Sequence, residues 1–204
     1  MTGCCDDNCS LDPRQEQQRR TLKIVLVINA VMFGVIVSAS IISKSSSLLS
    51  DSLDNFGDAF TYALSLYAVA QGGKAKSRVA LVKGLLIFLG ATVVVAQMIY
   101  KIIVPEVPVF EIMGGFSLLS LLANSVCLVL LWRHRHEDIN MSSVWECSRN
   151  DISTNISVFI AAIGVWVMQS GWPDMVVASA LVILLYRSAW RVIRSARREL
   201  LVTP

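Results

Sequence analysis

The chain has 204 residues, 54% hydrophobic and 16% charged, with a net charge of +3 at pH 7. A mean hydropathy of +0.60 excludes a soluble domain folded around one core and marks an integral membrane protein. So small a positive balance also argues against nucleic acid as a partner, because the basic residues follow the topology derived below.

Residues 1–20 form a polar tail in which Cys4, Cys5 and Cys9 lie beside Asp6 and Asp7. A Cys-Cys-x-x-x-Cys run among acids suits capture of a soft ion such as Zn²⁺ or Cd²⁺. Its spacing matches no standard zinc finger, so a plain disordered tail is the competing reading. No cleavable signal peptide is expected, since the first apolar run continues for a full span.

Six apolar segments follow, at roughly 22–43, 47–71, 79–101, 110–132, 143–170 and 173–193. Each is long enough, at about 1.5 Å per residue, to cross about 30 Å of hydrocarbon. The first holds Asn29 in its middle. A Ser-rich turn (Lys44-Ser45-Ser46-Ser47) leads into the second, which carries Asp51, Asp54, Asn55, Gly57 and Asp58. Gly72-Gly73 is expected to cap its end. The third is a Val/Leu/Ile run with Gly84 and Gly90, read as packing, and Pro105 and Pro108 mark a loop after it. The fourth carries Gly114-Gly115 and Asn124, and Asn29 and Asn124 are expected to bond between helices. Cys127, the Met residues and the Trp residues read as membrane filling and interface anchors.

The polar loop at 132–141 holds His134 and His136 next to Glu137 and Asp138. This is either a metal funnel at the mouth of a path or a solvated loop. On the fifth segment Cys147, Asp151 and Asn155 form an i, i+4, i+8 ladder, so Cys147 is a candidate relay to Asp151. Gly171-Trp172-Pro173-Asp174 then turns into the sixth.

Sixteen of the eighteen basic residues fall on one side of this arrangement, leaving Lys44 and Lys101 opposite. The positive-inside rule therefore puts both termini in the cytoplasm, which an even number of spans requires. The basic run from Arg191 to Arg198 is mainly this topology signal, with contact to anionic membrane lipid as the alternative.

The acids are the informative exception. One Asp at a membrane-helix centre costs about 2.5–3.5 kcal/mol, so Asp54, Asp58 and Asp151 together cost roughly 8–10 kcal/mol if additive. No Lys or Arg lies deep in a span to pair with them, and a bound cation is the simplest compensation. Asp54 and Asp58 are spaced i, i+4, as are Asp151 and Asn155, so each pair shares a helix face. If the two faces meet, four oxygen donors surround one divalent ion. Asp51 lies on nearly the same face and is an accessory candidate. Simple helix adhesion is the competing reading, but carboxylates rarely serve it. A lipid-processing membrane enzyme fits poorly, because no Arg follows the acids and no second acid-rich helix of that pattern exists.

The stretch Ser47-Leu48-Leu49-Ser50-Asp51-Ser52-Leu53-Asp54-Asn55-Phe56-Gly57-Asp58 resembles the second span of the cation diffusion facilitator family. Asp151-Ile152-Ser153-Thr154-Asn155 resembles the paired position on its fifth span, and the likeness extends over roughly 20–195. The resemblance implies an all-α, six-helix transport domain at 21–195 between cytoplasmic tails at 1–20 and 196–204. It implies proton-coupled export of divalent transition metals by alternating access, with Zn²⁺ favoured over Cd²⁺, Co²⁺, Fe²⁺ or Mn²⁺. It further implies a homodimer and a transport site at Asp54, Asp58, Asp151 and Asn155. The metal is then the cargo, no resident cofactor is expected, and a small exporter of this kind fits a bacterial inner membrane. A non-transporting metal sensor is the alternative.

Two departures are expected to matter. Family members usually append a soluble cytoplasmic domain that dimerises, and about ten residues follow the sixth span here. The site also lacks His and carries Asn155 where Asp is common. An oxygen-only site leans toward Mn²⁺-like ions, and Asn155 cannot titrate, so at most three protons exchange.

Overall fold

The computed structural model describes residues 13–68, 73–134 and 139–202. It is all-helical, with α1 (Pro13–Ser43), α2 (Ser46–Ala68), α3 (Gly73–Ile103), α4 (Phe110–Trp132), α5 (Ile139–Met168) and α6 (Trp172–Val202). Five of them are long and apolar enough to cross a membrane. The exception is α2, which matches α4 in length at 23 residues but carries three aspartates. Its polar groups are hidden by position, because α2 packs against α1, α3, α5 and α6 at once.

Three tight helix pairs, α1 with α2, α4 with α5 and α3 with α6, make up the molecule. One apolar cluster (Met32, Ile36, Leu48, Met113, Val158, Val165) binds α1, α2, α4 and α5 into a four-helix bundle. A second, around Val25, Tyr62, Cys127 and Leu131, continues that bundle toward the start of α1. The third (Ile87, Ala91, Leu185, Ala189) joins α3 to α6, and Leu53 and Phe56 of α2 pack against it. Side chains such as Ile103, Val129 and Val167 point outward, two-thirds or more exposed at 75%, 72% and 68%. In a membrane that belt faces lipid.

The expected segments are all helices, but four run past their apolar cores. α1 starts at Pro13, α3 at Gly73 and α5 at Ile139, and α6 continues through the boundary drawn at 195 to Val202. Polar flanking residues extend a helix into the headgroup region at no solvation cost, and hydropathy alone does not see them. Gly73 opens α3 rather than closing α2, and its neighbour Gly72 lies outside the described residues.

Gly84 and Gly90 do the packing expected of them. A Cβ on Gly84 would sit 2.6 Å from Ile193 Cγ1 and 3.3 Å from the Ala189 carbonyl oxygen, so α3 and α6 approach closely there. One on Gly90 would sit 2.6 Å from Leu53 Cδ2 on α2. Gly84→Val should therefore push α3 off α6 and destabilise the protein by about 1–3 kcal/mol in a detergent unfolding titration. Gly115→Ala, with nothing within 4 Å of the new methyl group, should be neutral or slightly stabilising.

Candidate cation site

At one end of the molecule the α1–α2, α3–α4 and α5–α6 connections meet around Asp174. Pro173 and Asp174 occupy the first turn of α6, as Pro favours. The Asp174 carboxylate is fully buried and reaches across to the start of α2. It accepts the backbone N–H groups of Ser46 at 2.8 Å and Ser47 at 3.0 Å, and the hydroxyls of Ser45 and Ser47, both at 2.7 Å. Ser45 itself caps α2, its Oγ accepting the Leu48 N–H at 3.1 Å. An anion at a helix N-terminus is favoured by the backbone dipoles, and here it comes from another helix.

Lys101 completes the hub. Its ammonium donates to Ser46 Oγ at 2.8 Å, to the Lys44 carbonyl, and to Asp174 at 3.3 Å. Both members of this ion pair are buried. Lys101 is thus a sequestered cation, not a surface charge at the end of α3. Lys44 closes α1 in the left-handed region (φ 55°) and pairs with Glu106 at 2.7 Å, a bond that holds the Lys44 ammonium above its ordinary range. The loop carrying Pro105 and Pro108 is fastened to α1 by the Val109 N–H bonded to the Ser43 carbonyl at 2.9 Å. Sequence reading missed this hub. In the sequence Asp174 stands as part of the Gly171-Trp172-Pro173-Asp174 turn.

A cleft of about 470 Å³ lies at the seam between the four-helix bundle and the α3–α6 pair. Ser50, Asp54, Gly57, Asp58 and Thr61 of α2 form one wall and Asn150, Asp151 and Thr154 of α5 another, with α6 closing the side. The cleft thus brings together three of the four principal candidates. Asp58 and Asp151 are each only 7% exposed, and Asp54 is half-buried. Asn155 lies one turn further along α5, fully buried, and neither its Oδ1 nor its Nδ2 finds a hydrogen-bond partner. A buried amide is rarely left so. Among the described residues, no three His, Cys, Asp or Glu side chains converge closely enough to hold an ion. The acids share a cleft without closing on a point.

The accessory candidates divide. Asp51 is buried, does not line the cleft, and accepts a bond from Ser120 of α4 at 3.0 Å. Asp51→Asn keeps an acceptor for Ser120, so it should retain at least half of any transport rate, whereas the same change at Asp58 should not. His134 is buried, its Nε2 3.3 Å from Thr21 Oγ1, and so joins α1 to the end of α4 instead of standing in a solvated loop. Cys4, Cys5, Cys9 and His136 lie outside the described residues, and so does the side chain of Cys147. Asn29 does bond between helices, donating to Cys127 Sγ at 3.7 Å as well as to the Val25 carbonyl. Cys127 otherwise packs in the apolar cluster with Val25, Tyr62 and Leu131.

Compared with known protein families, residues 22–201 match the cation efflux transmembrane domain. The chain belongs to the cation efflux family. Comparison with curated proteins returns no match. The match spans every described helix from α1 to α6, so this cation efflux protein is a transporter of cations and not an enzyme. The acid-lined cleft is the feature of its fold best suited to such a cargo.

Proposed function

We propose that this cation efflux protein exports divalent transition-metal ions, zinc foremost, in exchange for protons, with Asp54, Asp58, Asp151 and Asn155 as the transport site. The observation that carries the reading is the cleft itself. Carboxylates from α2 and α5 face one concavity inside a membrane domain, and the Asn155 amide beside it is buried without a partner. A cation entering the cleft draws the two helix faces together around it, which turns a shared wall into a coordination shell.

Proton coupling follows from charge. Three carboxylates in a low-dielectric cleft do not all stay ionised once the metal leaves, so its departure draws protons in, at most three. Alternating access requires one end open and the other closed. Of the residues lining the cleft, Arg187 and Arg191 lie on the side away from the Asp174 hub. With the basic residues inside, that side is cytoplasmic, and metal loads from there. A bacterial inner membrane and a homodimer held through the helices complete the proposal. The test is uptake of Zn²⁺, Cd²⁺, Mn²⁺, Fe²⁺ and Co²⁺ into proteoliposomes. Zn²⁺ should be fastest, and a clear preference for Mn²⁺ would overturn the ion assignment.

A further inference from the structure

The second half of α6 carries a second concavity that the transport site does not explain. Arg187, Arg191, Arg194 and Arg198 are spaced i, i+4, i+7, i+11, so they fall on one helix face. With Trp190 and Ser195 they line a groove of about 470 Å³. All four arginines are exposed, and none forms an ion pair with a described carboxylate. Four guanidiniums with no described carboxylate partner along about 16 Å of helix repel one another, and an anion neutralises such a row.

The position of the groove identifies the anion. α6 has 31 residues and is therefore about 46 Å long, well beyond about 30 Å of hydrocarbon. Ile183 and Leu184, one turn before the arginines, are 58% and 56% exposed and face lipid. Trp190, 64% exposed, stands where the apolar face ends, at the level where indole rings settle among headgroups. The row thus starts at the edge of the hydrocarbon and runs through the phosphate layer. Guanidinium forks match phosphate oxygens in geometry and charge. We propose that this groove is a binding site for the headgroup phosphates of anionic phospholipids.

The site touches the transport cleft, since Arg187 and Arg191 line both concavities. A cation approaching Asp58 and Asp151 passes these two positive charges. A headgroup phosphate on the groove neutralises them, so anionic lipid lowers the electrostatic barrier at the mouth of the cleft. This consequence rests on the proposed transport reading. The binding site itself does not.

The test uses the full chain in nanodiscs of phosphatidylcholine with a minor fraction of phosphatidylglycerol, either lipid carrying brominated acyl chains. Quenching assigned to Trp190 by difference from Trp190→Phe should be several-fold stronger with brominated phosphatidylglycerol than with brominated phosphatidylcholine. Rising salt should erase that preference. A surface guanidinium contributes about fivefold in affinity, so R194Q/R198Q should weaken phosphatidylglycerol binding roughly 25-fold and bring quenching by the two lipids to equality. Equal quenching by the two lipids in the unmodified chain would overturn the proposal without any variant. Displacement of phosphatidylglycerol by millimolar inorganic phosphate would overturn it too, assigning the groove to a soluble anion. Neither readout involves metal flux, so failure of the transport reading would leave this result intact and the converse would also hold.

Discussion

Asp174→Ala is expected to destabilise the protein by about 3–5 kcal/mol, the range for removing one partner of a buried ion pair. The substitution leaves the Lys101 ammonium buried and partly unpaired, and it strips the acceptor from two N–H groups at the start of α2. Ser45 and Ser47 lose their shared partner at the same time. Asp174→Asn should recover only part of the loss, because it preserves acceptor geometry but not the charge facing Lys101. Unfolding in mixed micelles measures the effect. Pairing either change with Lys101→Met should give a coupling energy of at least about 1.5 kcal/mol if the ion pair is the unit that matters. The hub fastens α2 to α3 and α6, so the same variants should also loosen the closed end of the molecule.

Asp58→Asn and Asp151→Asn should each abolish metal transport while leaving the protein folded. At about 4 Å and an effective dielectric near 20, one unit charge interacts with a divalent ion by about 8 kcal/mol. Even if half of that is lost to screening, affinity falls by on the order of 10³. The amide keeps an acceptor oxygen in the same place, so both variants should stay folded and melt close to the wild-type temperature. Calorimetric titration with Zn²⁺ and thermal melting of the same samples separate lost binding from lost fold. A variant that binds Zn²⁺ as tightly as the wild type would remove that carboxylate from the site.

The sequence made the acids of α2 and α5 legible because their cost in a membrane is large and local. Asp54 and Asp58 share a face of α2 as the i, i+4 spacing sets, and Asp151 of α5 lines the same cleft, with Asn155 buried one turn further along α5. Helix number was legible for the same kind of reason, since apolar length is a local property. The hub was not. Asp174 reads as an ordinary first-turn acid and Lys101 as a cation at the end of a span, and only the packing of α3 beside α6 brings them within 3.3 Å. Ser120, the partner of Asp51, is likewise a tertiary fact, and one serine among several on α4 gives no signal in advance. The arginine groove was half visible. Its basic run stood out, but its continuity with the acid cleft depends on how α6 lies against α2 and α5.

The central claim is that a metal ion and protons share the cleft between α2 and α5, and coupled flux tests it most directly. Sealed proteoliposomes with a metal dye and a pH dye inside, given an outward or inward Zn²⁺ gradient, report both movements at once. Zn²⁺ movement should drive opposite proton movement in the wild type, and both should vanish in Asp151→Asn. Zn²⁺ flux without proton movement, or flux undiminished in Asp151→Asn, would contradict it.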